Sequence, residues 1–246
     1  MNSGYYAACT GLMSRTQSLE TIANNLANVS TVGFRATHNI FSSLLATTGD
    51  SPLSVVNQDA NDYGVLSGTR LDTSQGPLVR TGNELDLAME GPGYFAVQTA
   101  AGPVYTRGGN FRVSPRGQLI TAQGDPVMGD NNSPITLIGS PISISPDGTI
   151  STDGAISGRL KMVEFAPTVM MQSAGGTYYT APTGTAVPAK NSMVRQGMLE
   201  SSNVNPVTSV VELITAQREV ETMRRVLTMF STDLDKTAAQ DLPRIS

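Results

Sequence analysis

Apolar residues recur at heptad spacing at both ends of the chain, and no other feature of the sequence constrains the fold as strongly. The N-terminal stripe is interrupted at Arg15 and otherwise runs through Tyr5, Ala8, Leu12, Leu19, Ile22, Leu26 and Val29. The C-terminal stripe runs through Leu213, Ala216, Val220, Met223, Leu227, Phe230 and Leu234. Alternating steps of three and four residues place side chains on one helix face, so the sequence predicts a long helix at each end.

Two apolar faces in one chain are most simply buried against each other. We therefore predict an α+β fold in which the long N- and C-terminal helices form an antiparallel coiled coil. A central antiparallel all-β domain is then looped out between them. The first helix is expected to end near Gly33 and the second to begin near Pro206. On periodicity alone, an ordinary helical hairpin inside one monomer is an alternative.

The N-terminal helix is almost free of charge. Between Met1 and Phe34 the only charged side chains are Arg15 and Glu20, and the other polar residues are Ser, Thr, Asn and Gln. These residues are neutral to poor helix formers, so packing must hold the helix. Only 15% of the whole chain is charged. This composition suggests a surface that neighbouring subunits cover, although adhesins have a similar one.

Between the helices, short alternating apolar segments are separated by turn sequences at regular spacing. Leu85, Leu87 and Met89 show the alternation. The turns include Gly91-Pro92-Gly93, Gly108-Gly109-Asn110, Pro146-Asp147-Gly148 and Asp153-Gly154. Such spacing is typical of antiparallel β structure.

The predicted organisation has four segments. They are an N-terminal helix over 1–36, an extended connection over 37–75, a β-rich domain over 76–200 and a C-terminal helix over 201–246. Within the connection we predict a short helix over 37–47 and a strand within 68–73.

Composition argues against several classes of partner. The net charge is −4, with 16 basic and 20 acidic residues. No block of basic residues is present, so nucleic acid and anionic membranes are poor partners. No apolar run reaches the roughly 20 residues that cross a bilayer, so membrane insertion is not expected. The N-terminus lacks the pattern of a Sec signal, and any route out of the cytoplasm is expected to use no cleaved signal peptide.

Catalytic chemistry has few candidate residues. His38 is the only histidine and Cys9 the only cysteine, which argues against a nucleophile triad or an ordinary zinc site. Glu84 and Asp86 alternate with apolar residues and are expected on a solvated strand face. We predict no enzymatic activity, no metal and no cofactor.

Three motifs occur in order along the chain. They are Asn24-Asn25-Leu26-Ala27-Asn28 with Thr31-Val32-Gly33-Phe34, then Tyr105-Thr106-Arg107-Gly108-Gly109-Asn110-Phe111, then Gly197-Met198-Leu199-Glu200-Ser201-Ser202-Asn203-Val204-Asn205. Together they resemble the flagellar basal-body rod and hook family, whose axial proteins stack into the tubular core of the flagellum. The short connection before Ser74-Gln75-Gly76 and the segment Gly158-Arg159-Leu160-Lys161-Met162-Val163 resemble the proximal rod members. Glu219-Val220-Glu221 departs from the family, which usually has an aromatic residue before the second Glu.

The resemblance implies a structural rod subunit that transmits motor torque to the hook and filament. Implied partners are other rod and axial proteins, copies of the chain itself and the flagellar type III export apparatus. The implied location is the periplasmic rod of the basal body. A distal rod protein of the same family is the first alternative.

From the helical pattern, we expect an assembly seam and a set of polar contacts. The seam consists of Leu12, Leu19, Ile22, Leu26, Leu213, Val220, Met223, Leu227, Phe230 and Leu234. Asn24, Asn25 and Asn28 are candidates for hydrogen bonds between subunits or for capping the helix end. Two rivals from other classes are an extracellular β-rich adhesin and a polysaccharide-degrading enzyme that uses Glu84 and Asp86.

Overall fold

A computed structural model describes residues 2–42 and 65–241. The chain divides into two compact units. The first, here called the helical unit, comprises the described parts of Met1–Leu26, His38–Thr69 and Pro206–Ser246. The second, the β unit, comprises Ala27–Thr37 and Arg70–Asn205.

The predicted helices at both ends of the chain are confirmed, although the first ends at Ala27, before the predicted end near Gly33. Helix α1 spans Asn2–Ala27 and helix α2 spans Pro206–Asp241. Pro206 occupies the first helical position, where a missing N–H costs no helical hydrogen bond. Neither described helix is long and apolar enough to cross a membrane.

The predicted antiparallel coiled coil of the two terminal helices is wrong. Within the described residues, most of the heptad positions are only half-buried, and Phe230 is 44% exposed. The helices approach each other where a Cβ on Gly11 would lie 3.4 Å from Met223 Cε. One heptad position of α1 is Arg15, whose Nη1 lies 3.0 Å from Glu219 Oε2 in a half-exposed ion pair. A coiled coil needs an apolar knob at that level, so the charge interrupts the interdigitated packing.

The predicted connection is strand where it is described. Strand β1 spans Thr37–Ser42 and pairs with β2, which spans Val65–Leu71. The short helix predicted over 37–47 is therefore wrong for its first six residues, because β-branched Thr37 and Ile40 suit a paired strand better than a short helix. The rest of that range, like the connection over 48–64, lies outside the described residues. The strand predicted within 68–73 forms the end of β2.

The predicted antiparallel β structure of the central region is confirmed. The first strands of the β unit are β3 (Leu78–Arg80), β4 (Leu87–Glu90), β5 (Tyr94–Thr99), β6 (Gly102–Thr106), β7 (Arg112–Val113), β8 (Leu119–Ile120), β9 (Ile142–Ile144) and β10 (Thr149–Thr152). The others are β11 (Ala155–Arg159), β12 (Met162–Glu164), β13 (Gln172–Gly175), β14 (Tyr178–Thr180), β15 (Val187–Pro188), β16 (Met193–Gln196) and β17 (Met198–Glu200). The largest sheet has the order β13-β14-β6-β5-β12-β15, and β11-β10-β9 form a second. The pairs β4-β16, β3-β17 and β7-β8 complete the unit.

Alternation along these strands builds the core of the β unit. Leu87, Met89 and Phe95 are completely buried in one apolar cluster. Phe95 and Phe111 meet edge to face, with ring centroids 5.3 Å apart. A second apolar cluster contains Tyr94, Val163 and Tyr179.

Candidate assembly site

Three charged side chains are buried together in the β unit. Arg35, Arg107 and Glu200 are each 1% exposed or less. Arg35 Nη2 lies 2.7 Å from Glu200 Oε1, and Arg107 Nη1 lies 3.1 Å from Glu200 Oε2. One carboxylate therefore binds two guanidinium groups. Buried charge is tolerated only where it is paired and hydrogen-bonded, so Glu200 holds the cluster together.

Glu200 also binds backbone groups from two distant parts of the chain. Its Oε1 accepts a hydrogen bond from the N–H of Gly76 at 2.8 Å. Its backbone carbonyl accepts one from the N–H of Gly33 at 2.7 Å. Three segments that are remote in sequence therefore meet at this one residue.

Each arginine has further partners. Arg35 Nη1 donates to the carbonyl of Ser74, and Arg107 Nη2 donates to the carbonyl of Gly91 at 2.6 Å. The Arg107 guanidinium also lies 4.7 Å from the centroid of the Tyr94 ring, within cation–π range. Desolvation by burial lowers the pKa of Arg107, while the charge of Glu200 opposes that shift.

Tyr179 lies beside this cluster. Its hydroxyl accepts a hydrogen bond from the backbone N–H of Arg35 at 2.8 Å. Burial raises the pKa of this phenol, so it stays protonated.

Asn203 ties the same region to the neighbouring strands. Its Oδ1 accepts a hydrogen bond from the N–H of Ala36 at 2.7 Å, and its Nδ2 donates to the carbonyl of Asp72 at 3.2 Å. A small apolar cluster of Phe34, Ala36 and Val204 packs at this level.

The close packing explains the glycines of the motifs. A Cβ on Gly33, at φ 71°, would overlap the amide nitrogen of Gly108. A Cβ on Gly109 would overlap the carbonyl oxygen of Leu87 and lie 2.7 Å from its carbonyl carbon. Both positions therefore exclude any side chain.

The three sequence motifs thus meet inside one unit. The first supplies Gly33 and is followed directly by Arg35. The second supplies Arg107 and the glycines after it, and the third supplies Glu200 and Asn203. Sequence reasoning recognised the motifs but missed this cluster. The available signal was the presence of charged residues in motifs that are otherwise neutral.

Helix α2 carries apolar side chains on two opposite faces of its first turns. On one face Ala216 and Val220 are buried. On the other, Val207 is 74% exposed, Val211 60% and Ile214 46%. At about 3.6 residues per turn, the three exposed residues share one stripe half a turn away from the packed face. We call Val207, Val210, Val211 and Ile214 the outer stripe.

The predicted seam residues occupy varied environments. Val220 is buried, Phe230 is exposed, and the side chain of Leu234 lies outside the described residues. The half-buried members are Leu12, Leu19, Ile22, Leu26, Leu213, Met223 and Leu227. The structure therefore brings these residues to the less exposed face of each helix without closing them into a coiled coil.

The three asparagines differ in exposure. Asn24 is exposed, Asn25 is buried and Asn28 is half-buried. The hydroxyl of Thr31 donates to Asn28 Oδ1 at 3.2 Å, just after the last turn of α1. Asn28 therefore orders the chain where α1 ends.

Comparison with known proteins covers all three motif regions. Residues 6–35 match the sequence model of the flagella basal body rod protein, and residues 88–157 match that of the flagellar hook protein FlgE/F/G D1 domain. Residues 195–240 match that of the flagellar basal body rod FlgEFG protein C-terminal region.

Full-length relatives agree with the family matches. The flagellar basal-body rod protein FlgF of Caulobacter vibrioides is 31% identical, with 100% of both chains covered. FlgF of Salmonella typhimurium is 34% identical, also with 100% of both covered. FlgG of Bacillus subtilis is 31% identical over 91% of this chain and 93% of its own.

The chain belongs to the flagellar basal-body rod protein family. It is a structural subunit of the flagellum and is located in the basal body. Within the family, it is a rod protein of the FlgF type.

Proposed function

We propose that the chain assembles helically with copies of itself and with other axial proteins, and that the resulting rod transmits motor torque to the hook and filament. The outer stripe of α2 carries this proposal. A surface helix of a self-contained protein needs one apolar face, whereas α2 has a second one directed away from the first. A helix with two opposed apolar faces is suited to burial between neighbours.

The energetic gain from covering the outer stripe is substantial. Burying one Val or Ile side chain contributes about 1.5–3 kcal/mol relative to leaving it exposed. Val207 and Val211 remain mostly exposed in the single chain, so most of their contribution is available to an interface. Repeated at every subunit, such contacts give the stiff interfaces that torque transmission needs.

The occupant of the stripe is a terminal helix of a neighbouring axial subunit. The exposed face of α1 offers suitable chemistry, because Met13 is 73% exposed and Ala23 and Ala27 are also exposed. The charges on α1 are limited to Arg15 and Glu20. Glu20 lies two turns from both Met13 and Ala27 on this same face. Burying neutral polar groups costs less than burying charge, so the neutral part of the face enters the interface and Glu20 stays at its edge.

The terminal helices form the inner tube of the rod in this proposal, and the β units form its outer layer. In the assembled rod, the ten predicted seam residues pack the terminal helices of the subunits together. Exposed Asn24 donates and accepts hydrogen bonds between subunits, and Asn28 orders the end of α1, whereas Asn25 is buried within its own subunit. The chain reaches the periplasmic rod through the flagellar type III export apparatus without a cleaved signal peptide, as the family resemblance implies.

Val211→Asp tests the proposal by placing a charge in the outer stripe. Thr183→Asp is the control, since it adds the same charge at an exposed turn position of the β unit, outside both helices. We expect purified Val211→Asp to fold like the wild type, but cells that carry it to lack rods in electron micrographs of basal bodies and to be non-motile. Thr183→Asp cells should swim. Normal rods and motility with Val211→Asp would refute the proposal.

A further inference from the structure

We infer that the contacts of Glu200, here called the latch, form last when the β unit folds. The base of this unit then becomes ordered only when strand β17 places the Glu200 carboxylate between two buried arginines. The base of the unit means here the segments around Gly33, Gly76 and Glu200. This inference concerns folding of the single chain and is independent of how the chain assembles.

Every contact of the latch joins residues that are far apart in sequence. Arg107 and Glu200 are 93 residues apart, Gly76 and Glu200 are 124 apart, and Ala36 and Asn203 are 167 apart. The entropic cost of closing such loops must be met before the contacts form. Local hairpins close short loops, so their contacts can form earlier.

Several hydrogen bonds of the β unit are local by comparison. The N–H of Ser145 donates to the carbonyl of Thr149 at 2.9 Å across one turn. The N–H of Val127 donates to the carbonyl of Leu119 at 2.9 Å. These amides can become protected without any residue from the C-terminal strand.

The buried charges are a second reason, besides the long separations in sequence, why the contacts of Glu200 must form before the segment around Arg35 packs. Arg35 and Arg107 are both buried against the same carboxylate, and their other acceptors are backbone carbonyls. Without Glu200, burial would place two like charges together in a region of low dielectric. The segment that carries Arg35 therefore cannot settle into the β unit until Glu200 is in place.

Because Glu200 lies near the C-terminal end of the β unit, its contacts link two distant stages of folding. Its anion comes from the last strand of the β unit, whereas the segment it captures follows α1 directly. A chain that has not yet delivered β17 keeps the base of its β unit open. The latch thus couples capture of the segment after α1 to completion of the β unit.

Pulse-labelling hydrogen exchange during refolding of the full chain from urea tests the order directly. The amides of Ser145 and Val127 report local closure, and those of Gly33 and Gly76 report the latch. We expect the latch amides to gain protection in a separate phase, at least about tenfold slower than the local amides. Protection of all four amides in the same phase would overturn the inference, as would earlier protection of the latch amides.

Native-state exchange in variants tests the role of charge. Glu200→Gln keeps the shape of the side chain but leaves two buried cations unneutralised. Arg107→Met leaves one cation with one anion, so it should perturb the cluster less. Glu90→Gln is the control, since Glu90 pairs with Arg195 at 2.6 Å in a half-exposed ion pair.

We expect exchange at Gly33 and Gly76 to accelerate more in Glu200→Gln than in Arg107→Met, and to change by less than about twofold in Glu90→Gln. If the Glu200→Gln chain fails to fold and the Arg107→Met chain folds, the inference is also supported, because loss of the carboxylate is then more damaging than loss of one arginine. Equal or greater acceleration in Arg107→Met would overturn the charge-based latch.

Discussion

A Gly109→Ala substitution should destabilise the β unit severely, because a single methyl group has no room at this position. The added Cβ would overlap the carbonyl oxygen of Leu87 and lie 2.7 Å from its carbonyl carbon. Both neighbours are backbone atoms, so no side chain can rotate away. Leu87 is fully buried, and its N–H donates to the carbonyl of Gly109 at 3.0 Å.

The magnitude follows from these contacts. Overpacking a tight core costs typically about 1–3 kcal/mol. Shifting the Gly109 backbone also weakens its hydrogen bond with Leu87, which contributes about 1 kcal/mol net. We therefore expect a loss of about 2–4 kcal/mol in the free energy of unfolding.

Gly158→Ala is the matched control for the same chemical change. A Cβ on Gly158 meets no heavy atom within 4 Å. Replacing Gly by Ala in open space reduces the conformational entropy of the unfolded chain and stabilises by about 0.4–1 kcal/mol. Urea unfolding of the full chain, followed by far-ultraviolet circular dichroism, measures both changes. If the two variants differ by less than about 1 kcal/mol, the reasoning from close packing is wrong.

Three further predictions follow from the cluster, the helices and one tyrosine. Glu200→Gln should lower the free energy of unfolding by about 3–5 kcal/mol and Glu90→Gln by at most about 1 kcal/mol in urea titrations, and equal losses would contradict the buried-charge argument. Leu26→Asp should abolish rod assembly while the β unit keeps its near-ultraviolet circular dichroism, and motile cells would show that Leu26 is not in an assembly seam. Burial, reinforced by a hydrogen bond to Asp125, raises the pKa of Tyr178 to about 12. Since the folded-state pKa lies above the usual value of 10.0, this contribution to stability is complete below pH 10 and is lost as the pH rises towards 12. Absorbance titration at the tyrosinate band, with a Tyr178→Phe chain as reference, measures this, and ionisation of Tyr178 near pH 10 would contradict it.

The sequence predicted the parts of the fold that depend on local pattern. Both helices follow from heptad spacing, and the β structure follows from alternation and turn chemistry, because neighbouring residues determine these properties. A heptad stripe says which face of a helix is apolar but does not name the partner that covers it. The coiled-coil prediction failed at that step, and Arg15 in the middle of the stripe was the warning.

The buried cluster could not be predicted from local pattern. Nothing in the neighbourhood of Arg35 indicates that its partner lies at Glu200, since the two residues are far apart in sequence. For the Asn-rich end of α1, the sequence predicted hydrogen bonds between subunits or capping of the helix end. Three other motif residues, Gly33, Arg107 and Asn203, meet in the interior of one unit.

The unequal charge of the buried cluster has a consequence for sequence divergence. One carboxylate neutralises two guanidinium groups, so Glu200 is the member whose loss leaves the largest imbalance. A lineage that replaced it with a neutral residue would carry two stranded cations until Arg35 or Arg107 also changed. Substitutions should therefore be tolerated in one order, with an arginine lost first and the glutamate afterwards. The cluster therefore restricts the order in which this rod protein can lose its buried charges during evolution.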